Sequence, residues 1–245
     1  MNNRGGKVWG ITGASAGIGA EKARGHAASG AKVVLSARRE ERLRELAAEI
    51  GENAAYLRSD VSSLADMQAL AAFARQKYGK IDALFANAGI MPAGNMSELK
   101  TDDWARMVGI NVMGVLNSMA AVLPEFIAQK GGHIVVTSSV AGTRSVPGNA
   151  VYCGTKHFVR AMLDSVRQEA VSEGTNIRTT AVFPGAIKTE LLNTVAPSET
   201  KQAIEAFYAR VGLAPSAVAN AVLYALSQPE EVDVSELTVR PAREA

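Results

Sequence analysis

Tyr152 and Lys156 stand four residues apart in Tyr152-Cys153-Gly154-Thr155-Lys156, a spacing that puts both side chains on one helix face, one turn from each other. A free phenol holds its proton to about pH 10. A cation about 4 Å away, at an effective dielectric of about 20, favours the phenolate by up to about 4 kcal/mol. At about 1.4 kcal/mol per unit, that lowers the phenol by up to about three units. Such a phenol is a general acid or base suited to neutral water. Ser139 lies upstream as a second hydroxyl. Tyr/Lys pairs at this spacing arise by chance on many helices, so the weight of this one comes from its surroundings.

The front of the chain carries Thr12-Gly13-Ala14-Ser15-Ala16-Gly17-Ile18-Gly19, directly after the apolar run Val8 to Thr12. Glycines between a strand and a helix let the backbone approach a pyrophosphate, which the free N–H groups and positive dipole of the helix start attract. The spacing is G-x-x-x-G-x-G rather than G-x-G-x-x-G. By itself it could be only a tight strand-to-helix turn.

The elements that hold these residues alternate in type. Strands are expected at 8–12, 32–36, 55–59, 81–86, 133–137, 178–183 and 236–239, and helices at 17–29, 40–50, 64–78, 102–129 and 150–172, several closed by glycine. That order calls for a parallel sheet covered by helices on both faces. The stretch 188–213 reads as one long irregular piece. Its Leu191, Leu192, Val195, Ile204, Phe207 and Tyr208 fit either a lid over a ligand or a helical excursion fixed on the sheet.

With 245 residues and 47% hydrophobic content, the chain can bury a large core as one domain. A net charge of +2 with interleaved signs argues against a nucleic-acid footprint. The lone Cys153 excludes an internal disulfide and a CxxC metal site, and no metal is expected. His26, His133 and His157 are scattered and read as surface or helix-packing residues. Residues 1–6 are short, polar and glycine-rich, and neither a signal peptide nor a membrane span is visible, so a cytoplasmic protein is expected.

Taken together, the glycine-rich turn, Asp60-Val61, Asn87-Ala88-Gly89, Asn111, Ser138-Ser139, Tyr152 with Lys156, and Pro184-Gly185-Ala186-Ile187-Lys188-Thr189 resemble the short-chain dehydrogenase/reductase family. They fall in the family order along almost the whole chain. Ala86 departs from the pattern, standing where many members have a second Asn. The resemblance implies a single-domain Rossmann-type α/β fold, a doubly wound parallel sheet of about seven strands with helices on both faces, spanning 1–245 with a substrate lid at 188–213.

It also implies a dinucleotide held by Gly13, Ser15, Ala16, Gly17, Ile18 and Gly19, with Asp60 and Val61 at the adenine. Asn87, Ala88 and Gly89 follow, then Tyr152 and Lys156 at the nicotinamide ribose, and Pro184, Gly185, Ile187 and Thr189 after the sixth strand. Members that use NAD usually carry Asp at the end of the second strand, where this chain has Ala37 followed by Arg38 and Arg39. A guanidinium fork suits a 2′-phosphate, so NADP(H) is the expected cofactor, read by Arg38 with Ser36 and Arg39. The bland reading is that both arginines pair with Glu40 and Glu41 at a helix start. Ala16 counts slightly the other way, because many NADP members have a basic residue there.

By the same resemblance Tyr152 protonates a substrate carbonyl, Ser139 bonds that oxygen, Lys156 tunes the phenol, and Asn111 holds a water that feeds protons to Lys156. Pocket walls are expected from Met91 to Asn95, Val140 to Gly148 and Gly185-Ala186. Arg144 is a candidate anchor for a substrate carboxylate or, more blandly, a solvated loop arginine. The implied activity is reversible reduction of a small aldehyde or ketone, of hydroxy-acid/oxo-acid type among the options, by a homotetramer or homodimer. A ketoreductase for carrier-linked 3-oxoacyl groups and a non-catalytic NADP sensor stand beside it.

Overall fold

The structure is a computed structural model that describes residues 6–244. Residues 1–5, part of the polar lead-in discussed above, lie outside the described residues. Short apolar runs form β1 (Val8–Thr12), β2 (Lys32–Ala37), β3 (Ala54–Arg58), β4 (Ala83–Ala86), β5 (Gly132–Thr137), β6 (Ile177–Pro184) and β7 (Glu236–Val239). They make one seven-stranded sheet in the order β3-β2-β1-β4-β5-β6-β7, with every neighbouring pair parallel.

Because successive strand residues point to opposite faces, Val8 joins one core while Trp9 and Ile11 join the other. Three helices cover the first face: α3 (Leu64–Tyr78), α5 (Gly114–Ala128) and α6 (Ala150–Glu173). They bring Met67, Leu70, Met119, Val122, Phe126 and Leu163 against Leu84, Ile134 and Phe183. On the second face lie α1 (Gly17–Ala28), α2 (Glu40–Ile50) and α8 (Pro215–Leu226), whose Ala23, Leu43, Leu46 and Val222 meet Val33, Leu35, Phe85 and Val182. The chain winds outward both ways from β1 and β4, and such a switch point opens a crevice beyond the carboxyl ends of the strands. Both the glycine-rich turn and the residues after β4 and β5 sit at that end.

Three differences from the sequence reading bear on the site. The helix expected at 102–129 runs from α4 (Thr101–Val108) into α5 through a widened turn, Gly109–Met113, with i→i+5 geometry. Such turns are frequent at functional sites. By length and composition Thr101–Ala128 is apolar enough to cross a membrane, but Val115, Met119, Val122 and Phe126 are committed to the core. Next, 188–213 is largely ordered helix: a short turn at Glu190–Thr194, then α7 (Glu199–Val211). Finally, α8 was not expected at all, although Pro215 opens it as Pro commonly does.

Candidate active site

The glycine-rich turn is held by what surrounds it. Thr12, at the end of β1, accepts through Oγ1 from the backbone N–H groups of Asn87 (3.0 Å) and Ala88 (3.3 Å). The Asn87 amide donates to the Thr12 and Gly13 carbonyls, and its oxygen accepts from the Thr137 hydroxyl at 3.0 Å. Asn87 therefore ties together the ends of β1, β4 and β5. Gly13 has φ +63°, and a Cβ there would lie 2.9 Å from the Ala88 Cα. At Gly19 a Cβ would come within 2.8 Å of the Asn87 Nδ2, so this glycine serves packing and does not line the cleft. Helix α1 begins after Ala16 with no side-chain cap and no acidic residue in its first turn. Its leading N–H groups are left for an anion, an arrangement that fits a pyrophosphate.

A cleft of about 420 Å³ runs from this turn across the carboxyl ends of the strands. At one end it is lined by Ser15, Ala16, Gly17, Ile18, Arg38, Arg39, Asp60 and Val61. Arg39 does not stand free. It donates to the Ser15 hydroxyl (2.9 and 3.1 Å) and to the Glu190 carboxylate (2.6 Å), which also accepts from Arg42 at 2.5 Å. Its partners are therefore not the Glu40 and Glu41 of the bland reading. Burial would raise the Asp60 carboxyl, yet donation from the Ser62 N–H and hydroxyl, with Arg38 and Arg58 nearby, holds it below the usual range. Ser36 corrects the sequence reading. It is fully buried and shares a hydrogen bond with the Ser59 hydroxyl at 2.5 Å, so it faces β3 rather than the cleft.

At the other end Ser138, Ser139, Tyr152 and Lys156 meet Asn87, Ala88, Gly89 and Ile90 from the β4 side. Tyr152 and Lys156 share a face of α6 and are both buried, at 5% and 4% exposure. The Lys156 ammonium donates to the Thr137 carbonyl at 2.7 Å and lies 5.7 Å from the centre of the Tyr152 ring. Ser139 follows β5 with its hydroxyl accepting from the Ala141 N–H at 3.1 Å. The expected lowering of the phenol by the lysine is not what the structure gives. Burial pushes Tyr152 above its ordinary value, and a hydrogen bond with Ser139 pulls part of the way back. Burial likewise lowers Lys156, to about 8. Desolvation sets both directions because both groups are buried, where the charged form of each is disfavoured.

Asn111 is placed in the widened turn Gly109–Met113 and is buried. Its amide oxygen accepts from the Ile90 N–H at 2.9 Å, and its nitrogen donates to the Ile90 carbonyl at 2.9 Å and the Thr155 hydroxyl at 3.2 Å. The side chain thus pins the loop after β4 and does not line the cleft, while its oxygen and the Lys156 ammonium flank the same glycine, at 3.4 and 3.7 Å from a Cβ placed on Gly89.

Pro184, Gly185, Ile187 and Thr189 complete the floor. Thr189 closes on the turn, since a Cβ at Gly17 would meet its methyl at 3.1 Å. The roof comes from Glu190, Leu191, Asn193, Thr194 and Tyr208. All five fall within the lid expected at 188–213, although only Leu191 and Tyr208 were named in it; Thr137 carried no local signal. Of the expected pocket walls, Met91 and Gly185 line the cleft, whereas Pro92 to Asn95 border a separate small depression with Gly148 and Asn149. Arg144 points elsewhere: it is half-exposed and faces Glu244 at 3.8 Å, so it is not positioned as a carboxylate anchor within the cleft. His26 is buried in a stack on Trp9 at 4.2 Å. His133 is buried beside Thr180, and burial lowers it to about 3.

A family model described as short chain dehydrogenase matches residues 7–200. An uncharacterized oxidoreductase of Listeria monocytogenes is 50% identical over 238 residues, covering 96% of each chain. Among solved structures, the closed form of serine dehydrogenase complexed with NADP+ superposes with a TM-score of 0.91 at 31% identity, over 97% of this chain and 96% of that one. An alcohol dehydrogenase from the archaeon Thermococcus sibiricus, complexed with 5-hydroxy-NADP, gives 0.85 at 29% identity, over 98% of each.

Proposed function

The chain belongs to the short-chain dehydrogenase family, an oxidoreductase family, and on that premise we propose that it reduces a small aldehyde or ketone to the alcohol, reversibly, with NADPH. The observation that carries the reading is the cleft itself. Arg38 lies at one end and the Ser139, Tyr152 and Lys156 side chains converge at the other, with an uncapped helix start between them.

When bound, the nicotinamide supplies or accepts a hydride. Every other part falls to the chain. Backbone N–H groups at the start of α1 hold the pyrophosphate, while Arg38, exposed and unburdened by the Glu190 pair, takes the 2′-phosphate. The Ser139 hydroxyl bonds the carbonyl oxygen where charge develops. Tyr152, held protonated by burial, is the proton donor in the reductive direction. With its proton affinity lowered to about 8, Lys156 still carries its charge at neutral pH and steadies the phenolate that the transfer leaves. Asn111 acts as a positioning residue through the Ile90 loop. The roof from Glu190 to Tyr208 serves as the lid. A cytoplasmic location and a homotetramer complete the reading, by family likeness.

Assaying NADPH and NADH oxidation against a panel of small aldehydes and ketones tests it. Turnover with NADPH preferred supports the reading. Tight NADPH binding with no turnover on any carbonyl would point to a sensor instead.

A further inference from the structure

The tail of the chain brings a carboxylate up behind Gly185, a residue of the cleft wall. After β7 the backbone turns, with the Glu244 N–H donating to the Pro241 carbonyl at 3.0 Å. The Glu244 side chain is only 6% exposed. Its Oε2 accepts from the Ala186 N–H at 3.0 Å, and a Cβ at Gly185 would lie 2.9 Å from its carboxyl carbon. The glycine thus leaves the room that the carboxylate fills. Gly185 and Tyr208 both line the cleft with Tyr152. Burial raises the Tyr208 phenol, and the Glu244 charge raises it further, so the carboxylate is electrically felt at the cleft wall. Its charged neighbour is Arg144, at 3.8 Å and 46% exposed.

We propose that Glu244 is a specificity-determining residue, a charge filter that keeps Arg144 engaged and sets the substrate class as an uncharged carbonyl compound rather than an oxo acid. A substrate carboxylate entering beside Tyr152 would approach a second, nearly buried carboxylate across Gly185. The cation able to compensate it is already turned toward Glu244. This inference rests on the reductase reading above and goes further by naming the substrate charge.

The test uses pyruvate and methyl pyruvate, which share a reacting ketone and differ by one charge. The wild type is expected to show a kcat/KM at least about tenfold higher for the ester. Glu244→Gln keeps an acceptor for the Ala186 N–H but removes the charge. It should narrow the ratio about tenfold, through a lower KM for pyruvate, with the ester rate within about threefold of wild type. Adding Arg144→Gln should cancel that gain, because the gain depends on the released guanidinium. Calorimetric titration of both compounds into the NADP+ complex reads the same discrimination without turnover. An unchanged ratio in Glu244→Gln by both readouts overturns the filter, as does failure of the uncharged ester to bind the wild type. Discrimination in binding with no turnover leaves the filter standing and overturns the reductase reading instead.

Discussion

At the end of β2, Arg39 and Arg42 are each 47% exposed and share the 40% exposed Glu190 carboxylate, with Arg38 exposed beside them. At the far end of the same cleft, Tyr152 and Lys156 are buried and their proton affinities move apart, the phenol up and the ammonium down to about 8. Charges in water are screened within about 10 Å at ordinary salt, so the first set works by attraction and geometry. Buried groups carry a desolvation cost in whichever form is charged, so the second set works through protons. On the proposed reading, one cleft uses exposure to select and burial to react.

That contrast breaks first at Tyr152. Tyr152→Phe removes the transferable proton while keeping the ring in its packed place. It should lower kcat by at least about a hundredfold, within the span of general acid catalysis, and change NADPH affinity by less than about threefold. Stopped-flow turnover beside fluorescence titration of NADPH reads both. Comparable losses in the two would make the buried end a binding site rather than a reactive one.

Lys156 sharpens the comparison through pH. Its ordinary value is 10.5 and its folded value about 8, so between these the unfolded chain holds more protons and stability rises with pH. Below about pH 8 the whole cost of burying the cation is present, about 3 kcal/mol by linkage. Urea denaturation of wild type and Lys156→Met at pH 7 and pH 10 should show the gap shifting toward the wild type by up to about that amount. A gap that does not move with pH would mean the ammonium is solvated. Reductive turnover should likewise decline above about pH 8 as the charge beside Tyr152 is lost.

Much of this site was legible in the chain, and the missing parts share a cause. The glycine-rich turn, the Tyr152/Lys156 face and Ser139 are local patterns set by helix and strand periods, and the structure gathers them around one cleft. Strand ends moved by a residue or two because the last ladder bond depends on the neighbour strand. What spacing cannot carry is burial and distant pairing. Arg39 and Glu190 meet across 151 positions, Ser36 turns to Ser59 because β2 lies beside β3, and desolvation reversed the expected shift at Tyr152. Asn111 shows both sides. Its place near the site was legible, but its bonds to Ile90 and Thr155 follow from a widened turn that has no sequence mark.

At the exposed end the strongest test is Arg38→Asp. Replacing a guanidinium by a carboxylate removes a charge-assisted bond and adds repulsion to a 2′-phosphate, so the NADPH-to-NADH ratio of kcat/KM should fall by about tenfold or more. kcat with NADH should stay near the wild-type value, since the buried end is untouched. A ratio that holds would mean that Arg39 reads the phosphate in spite of its bond to Glu190.

Glu190→Gln is expected to be the mildest change. The carboxylate accepts from Arg42 and Arg39, and those bonds hold its proton affinity below the ordinary range. Its partners are half in water, where such pairs are worth little, so folding stability should hardly alter. Its effect lies in potential: two guanidiniums now balanced by one carboxylate would face the phosphate end unopposed. NADPH should bind up to about threefold tighter at low ionic strength, with the gain fading at about 1 M salt, where screening acts within about 3 Å. NADH, lacking the 2′-phosphate, should gain less. A salt-independent gain, or an equal one for both cofactors, would mean that Glu190 acts by tethering the roof to Arg39, and the exposed end would then share in the closure of the cleft.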